Sequence, residues 1–203
     1  MRTPILSGLA ALALVAAVPL VPAKADVCCE VGGVSITHGG GNYNAARGPL
    51  SYAGQSVATI GGTAGYGGRV YTQGGYNRNV ASGPLSAATQ GVTTVGGTAY
   101  GPGSVANTYG GYNRNTASGF GSYAGQSVTT VGGSAYPYGH SVTSGGYNSN
   151  AAVGAFSQAH QDVTTIGGNA GYGGNSLTFG GGNHNAAIGF GSQADQQVVT
   201  VSP

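Results

Sequence analysis

The sequence is poor in charge and in large apolar side chains. Only 5% of its 203 residues are Asp, Glu, Lys or Arg, against about 25% in an ordinary soluble domain. It contains no Trp, one Met and four Phe, and its 40% hydrophobic fraction is mostly Ala and Val. Because strong helix formers are also few, these shortages argue against a conventional helical enzyme.

Basic charge is scarcer still once the N-terminal segment is set aside. Residues 1–25 have the pattern of a secretory signal peptide, with Arg2, an apolar run and an Ala23-Lys24-Ala25 cleavage site. Equal numbers of Arg and carboxylate residues follow, namely Arg47, Arg69, Arg78, Arg114, Asp26, Glu30, Asp162 and Asp195. Nucleic-acid binding needs a basic surface, and no later run is long enough to enter a membrane. We therefore expect a secreted, extracellular chain that binds neither.

Cysteine is limited to Cys28 and Cys29, which follow the predicted cleavage site. The residues before them do not form a lipoprotein box. Adjacent cysteines bridge each other only with strain, whereas an oxidising compartment permits a bond to another chain. Two interpretations stay open, an intermolecular disulfide and a terminal pair with no essential role.

Glycine, in contrast, supplies 42 residues, and it belongs to a repeat. The string G-G-x-N-x-N occurs five times, with spacings of 35, 36, 35 and 35 residues. Its first Asn is Asn42, Asn77, Asn113, Asn148 and Asn183, and its second is Asn44, Asn79, Asn115, Asn150 and Asn185. A Gln follows each pair at Gln55, Gln90, Gln126, Gln161 and Gln196. These positions indicate five copies of one structural unit.

The kept positions have the period of a β-strand. From Asn42 to Thr59 every second residue recurs at the same position of the other repeats, and this alternation changes phase once, at Pro49-Leu50. The phase change and the glycine pairs predict corners. Small kept residues cannot build a thick core, but stacked coils bury Asn and Gln as hydrogen-bonded ladders. The sequence therefore predicts an all-β fold, a parallel β-solenoid (β-helix) with cross-β stacking over residues 39–203, after an N-terminal segment at 26–38.

Each repeat also divides into unequal halves. In one repeat the long half runs over 141–161 and the short half over 162–175, and both open with a Val-Thr run that leads to Gly-Gly. The halves predict two strand–corner–strand arms for each unit. Whether one unit makes one coil or two stays open.

The strings Ser35-Ile-Thr-His-Gly-Gly-Gly-Asn42 and Val70-Tyr-Thr-Gln-Gly-Gly-Tyr-Asn77 resemble the curlin repeat, as does the run from Ser176 to Asn183. The resemblance covers about residues 31–203, and the Gln at the end of each copy matches the closing Gln of that repeat. The curlin repeat is shorter, and its first Gln has a counterpart here only at Gln73. The resemblance implies a secreted β-solenoid that polymerises with itself into amyloid-like adhesive fibres of the biofilm matrix. It also implies a nucleator and an outer-membrane secretion partner.

A second resemblance gives the alternative. The runs from Gly154 to Ala159 and from Gly189 to Ala194 are similar to the G-x-x-S-x-A coils of trimeric autotransporter adhesin heads. That likeness implies a non-polymerising β-solenoid that binds a surface or a glycan. A row of Thr would suit ice binding if it faced outward, at Thr59, Thr94, Thr130, Thr165 and Thr200. A disordered glycine-rich matrix protein is a further alternative.

Residues for catalysis or metal binding are not arranged in the repeat. The histidines His38, His140, His160 and His184 occupy different repeat positions, with no partner at metal-ligand spacing. The carboxylates form no repeated pair for acid–base catalysis. We therefore expect a non-enzymatic protein without a cofactor or metal. The thirteen tyrosines fall mostly between kept positions, which predicts outward-facing rings for adhesion or bundling.

Overall fold

The computed structural model describes residues 33–65, 67–101, 103–136, 138–171 and 175–202. The predicted signal segment at 1–25 and the cysteines Cys28 and Cys29 lie outside these residues. Within them the chain contains fifteen strands and no helix. The strands form three five-stranded sheets in which every pairing is parallel. The predicted all-β parallel solenoid is confirmed, and the alternative of a disordered chain is excluded for these residues.

Each repeat contributes one strand to each sheet. Sheet 1 contains β1 (Val34–His38), β4 (Arg69–Gln73), β7 (Val105–Tyr109), β10 (His140–Ser144) and β13 (Ser176–Phe179). Sheet 2 contains β2 (Gly41–Arg47), β5 (Tyr76–Ser82), β8 (Tyr112–Ser118), β11 (Tyr147–Val153) and β14 (Gly182–Ile188). Sheet 3 contains β3 (Tyr52–Ile60), β6 (Ala87–Val95), β9 (Tyr123–Val131), β12 (Gln158–Ile166) and β15 (Gln193–Val201). One repeat is therefore one coil of three strands, and the coils are numbered 1 to 5 along the chain.

The coil differs from the predicted pair of arms. The second arm of the short half is an irregular connection that makes only isolated bridges, from Ala99 to Ala135 and from Ala135 to Ala170. Buried and more exposed residues alternate there as well, but the sequence is rich in glycine, which weakens a strand interior. The first coil also begins earlier than residue 39, because β1 at Val34–His38 pairs with β4.

The register places each residue over its counterpart in the next repeat. Asn113 pairs with Asn148, and Gln126 pairs with Gln161, in neighbouring coils. The one spacing of 36 residues does not disturb this register, because the extra residue lies in the connection between Val95 and Val105. Identical side chains therefore stack in columns, at the spacing of about 4.8 Å that separates paired strands.

Alternate residues point into the coil, where the side chains are small. An alanine cluster that includes Ala81, Ala88 and Ala117 joins sheets 2 and 3. A column of Val92, Val128 and Val163 lies further along sheet 3. These small side chains let the two sheets approach closely. They also leave little apolar surface, so buried polar columns occupy the rest of the interior.

The Gly-Gly corners between sheets 1 and 2 have a steric cause. Gly111 has a φ of 81°, in the left-handed region that side chains disfavour. A Cβ on the preceding Gly110 would meet the hydroxyl of Thr130 in sheet 3 and lie 2.8 Å from the carbonyl carbon of Gly145 in the next coil. Stacking and corner geometry thus both require glycine here.

We predict that Gly110→Ala destabilises the coil, whereas Gly91→Ala does not. The added methyl at Gly110 should cost about 1–3 kcal/mol, as overpacking of an interior does. Gly91 lies in β6 on the outer side, and a Cβ there meets nothing within 4 Å. Urea unfolding followed by circular dichroism measures both variants. Equal loss of stability in the two would contradict the steric account of the corner.

Candidate assembly surfaces

The first Asn of each repeat forms an amide ladder through the whole stack. The Nδ2 atom of Asn77 donates to Oδ1 of Asn113, and the side chain of Asn113 donates to that of Asn148, both over 2.8 Å. Asn42 and Asn148 make the same bond, to Asn77 and Asn183 respectively. In coils 2 to 5 the Nδ2 atom also lies near a corner carbonyl, such as Gly110 O at 3.1 Å from Asn113. The carbonyl requires the NH₂ group on its side and so fixes the orientation of the amide.

The second Asn forms a ladder that also joins two sheets. Asn115 donates to Oδ1 of Asn150 over 2.9 Å and approaches two carbonyls of sheet 3, Ala88 O at 2.9 Å and Gly125 O at 2.8 Å. Asn79 and Asn150 repeat this arrangement toward Asn115 and Asn185. In coil 1, Asn44 donates only to a carbonyl of its own coil, Gly54 O. These buried amides connect sheet 2 to sheet 3 in every inner coil.

The glutamine ladder runs in the opposite direction. Gln90 donates to Gln55 over 2.9 Å, Gln126 to Gln90 over 2.7 Å, and Gln161 to Gln126 over 2.6 Å. Gln196 donates to Gln161 over 2.9 Å. Both Asn ladders therefore donate toward coil 5, whereas the Gln ladder donates toward coil 1. The stack is polar, and its two ends differ in their free donors and acceptors.

The two ends also differ from the middle in exposure. Val163 in coil 4 is 1% exposed, but its counterpart Val198 in coil 5 is 45% exposed. In one outer column of sheet 1, Ile36 of coil 1 is 61% exposed and Leu177 of coil 5 is 50% exposed. The coils between them carry Tyr71, Asn107 and Val142 at this position. Within the described residues, β1 to β3 and β13 to β15 each pair along one edge only.

Charge is divided along the axis of the stack. The arginines of the described coils are Arg47 in coil 1, Arg69 and Arg78 in coil 2, and Arg114 in coil 3. The carboxylates of the same residues are Asp162 in coil 4 and Asp195 in coil 5. One end is therefore basic and the other acidic.

His160 lies between the two carboxylates, a grouping that sequence reasoning missed. Its Nε2 atom is 3.0 Å from Asp162 and its Nδ1 atom is 3.5 Å from Asp195. The register explains the grouping, since His160 pairs with Asp195 in the next coil, and only a known coil length would have revealed it. No group of three or more potential metal ligands occurs among the described residues. These contacts are exposed, and exposed ion pairs add little to stability.

The threonine row does not form a flat outer face. Thr94, Thr130 and Thr165 are fully buried on the inner side of sheet 3, and Thr59 is nearly so. Only Thr200, in the end coil, is exposed. Ice binding through this row is therefore not supported. The exposed aromatic residues instead form outer columns, which include Tyr76, Tyr112 and Tyr147.

Comparisons with protein-family models, with curated proteins and with solved structures find no match to this chain. No helix of the described residues is long and apolar enough to cross a membrane. The geometry of the coils is therefore the basis for assigning a function.

We predict that the middle and the coil 1 end of the second-Asn column respond differently to truncation. Asn115→Ala removes an amide that bonds Asn79 and Asn150 in the two neighbouring coils and approaches two carbonyls of sheet 3. Each buried group left unpaired costs about 1–3 kcal/mol. Asn44→Ala removes one exposed bond, worth about 0.5–1.5 kcal/mol. Urea unfolding of the unassembled chain compares the two. A ladder without energetic importance would give the same small loss at both positions.

Proposed function

We propose that this chain is a secreted structural subunit that stacks end to end into curli-like amyloid fibres for surface adhesion and the biofilm matrix. The observation that carries the proposal is the complementarity of the two ends of the stack. At every inner strand position the two end coils carry the same residue, as Asn42 and Asn183 or Gln55 and Gln196 do, so a second copy can extend the stack without a change of register.

The hydrogen bonds at such a junction would be satisfied in one orientation. The coil 5 end offers the Nδ2 group of Asn183, which bonds only corner carbonyls of its own coil, Gly180 O at 3.0 Å and Gly181 O at 3.4 Å, and the Oε1 of Gln196. The coil 1 end offers Oδ1 of Asn42 and Nε2 of Gln55. Coil 5 on coil 1 pairs each donor with an acceptor. Two like ends would meet with their strands antiparallel, so the parallel register that places each amide over its counterpart would be lost and the ladders would not continue.

The outer side chains favour the same junction. In register, Leu177 of one copy lies over Ile36 of the next, and Val201 over Ile60, because these residues share columns. All four are exposed in the single chain. Burial of apolar surface contributes about 25 cal/mol per Å². The opposite charges of the two ends also steer approach into the head-to-tail orientation.

The free strand edges supply the template. The edge of coil 1 comprises strands of 5, 7 and 9 residues, and that of coil 5 strands of 4, 7 and 9 residues. Unpaired N–H and C=O groups on long regular edges bind another chain by strand addition. Export through the predicted signal peptide, a nucleator and an outer-membrane secretion partner belong to the same proposal, as does extracellular localisation on a cell-surface fibre.

We predict that the purified full chain forms filaments at neutral pH. Fibre diffraction should give a sharp meridional reflection at about 4.7–4.8 Å, the spacing of paired strands along the axis. Monodisperse β-rich particles that never assemble would overturn the fibre function and favour the non-polymerising adhesin.

A charge-pair experiment tests the head-to-tail register. Ile36→Lys combined with Leu177→Lys places two like charges over each other at every junction, so assembly should be suppressed. Ile36→Lys combined with Leu177→Glu places opposite charges there, so assembly should recover. Sedimentation and scattering measure filament yield, and Leu85→Lys, on an exposed corner of coil 2, is the control for an added surface charge.

Orientation follows from the same variants. In a head-to-head filament one kind of junction brings together two copies of residue 36 and the other two copies of residue 177. The Lys/Glu pair would then place only like charges at each junction, as the Lys/Lys pair does. Recovery with Lys/Glu alone supports the proposed junction. Equal yields for the two double variants would rule that junction out, while a diffraction pattern as above would keep the fibre function itself.

A further inference from the structure

Three tyrosines stack directly on one another on the outer face of sheet 2. The ring centroids of Tyr76 and Tyr112 are 5.0 Å apart and their planes differ by 2°. Those of Tyr112 and Tyr147 are 4.9 Å apart with an angle of 14°. The parallel register holds the rings in this arrangement, because the three residues occupy one column of β5, β8 and β11.

The column is open to solvent at its edges. Tyr76 is 49% exposed, Tyr112 37% and Tyr147 45%. The column has three members, because its positions in coils 1 and 5 are occupied by Gly41 and Gly182.

We propose that this tyrosine column is a site of oxidative cross-linking, at which dityrosine bonds join neighbouring coils of one chain. The oxidant is a one-electron oxidant of the peroxidase–hydrogen peroxide class. Each of two phenols gives up one electron and one proton to become a phenoxyl radical. The radicals form a bond between their Cε atoms, and the two displaced ring hydrogens move to the oxygens. The peroxide is reduced to two waters, and the pair of side chains loses two hydrogen atoms.

Geometry selects this column over other tyrosine pairs. Tyr52 and Tyr123 share a column of sheet 3, but Ala87 lies between them, so they are two strand spacings apart. Tyr71 and Tyr109 lie in different columns, 5.5 Å apart with a 47° tilt, and the Tyr71 hydroxyl bonds Gln73. Radical coupling requires two rings that meet with little motion, a condition that the stacked column meets better than either of these two pairs.

The consequence is a covalent link between coils 2, 3 and 4. Each bond closes a loop of 35 or 36 residues, the spacing of neighbouring coils. Such a link restricts the unfolded chain in the way that a disulfide does. The inference holds for the isolated subunit, since it does not depend on polymerisation.

The test oxidises the dilute, unassembled full chain with peroxidase and hydrogen peroxide. Cleavage after arginine separates the column into peptides 70–78, 79–114 and 115–203, each with one of its tyrosines. We expect dityrosine fluorescence, and mass spectra of 79–114 joined to each of the other two, with fragments that place the bonds at the column. The oxidised chain should still migrate as a monomer in a denaturing gel.

Tyr112→Phe and Tyr123→Phe are the matched variants. Each removes one hydroxyl and keeps a ring, so both should retain the β-rich circular dichroism spectrum. Tyr112 is the middle member, and its loss should remove both column links. Tyr123→Phe should leave their yield unchanged. The proposal would be overturned if Tyr112→Phe still formed links between peptides 79–114 and 115–203 in undiminished yield. It would also be overturned if the unaltered chain formed only intermolecular links.

Discussion

The structure depends on the parallel in-register pairing of each coil with its neighbours. Pairing at about 4.8 Å places a residue on its own counterpart, so an inner position is tolerable only if it stacks on itself. Asn and Gln satisfy this condition because each amide has a donor and an acceptor. Asn113, for example, accepts from Asn77 and donates to Asn148. Glycine is required for the same reason at Gly110, where the next coil's backbone occupies the place of a side chain.

Amide ladders give the stack a direction that its apolar columns lack. Ala and Val stack equally well from either side, whereas a row of amides has a donor end and an acceptor end. The Asn and Gln ladders point in opposite directions, so the dipoles of their amides partly cancel along the axis. Each end therefore carries both spare donors and spare acceptors. The charges also differ along the axis of the stack, because Arg114 and the earlier arginines lie in coils 1 to 3 whereas Asp162 and Asp195 lie in coils 4 and 5.

Much of the fold could be predicted from spacing alone. The repeat length, the period of two and the kept amides of Asn42 and Gln55 predict coils with stacked ladders. The three-stranded coil could not be read from the halves of the repeat, because a Gly-Gly pair marks both a strand-to-strand corner and an irregular connection. The direction of each ladder depends on which carbonyl faces the amide, such as Gly110 O for Asn113. The tyrosine column was visible in the sequence, since Tyr76, Tyr112 and Tyr147 each precede a ladder Asn.

The inner columns stabilise the pairing of any two coils, whereas the outer columns help to select which coils pair. A shift by one whole coil would leave every inner strand column matched except the one that contains Ser35, Val70 and Ala106, so the inner columns do little to select which coils become neighbours. Within one chain, connectivity makes the selection, because a shifted pairing would loop out a whole repeat and lose a paired edge. The stacked rings of Tyr112 and Tyr147 and the edge-on rings of Phe120, Phe156 and Phe190 favour the same order. Between chains no connection exists, and only the end coils offer free edges. The apolar outer residues Ile36 and Leu177 lie at those edges. They can help to specify that coil 5 of one chain pairs with coil 1 of the next, which the inner columns alone do not specify.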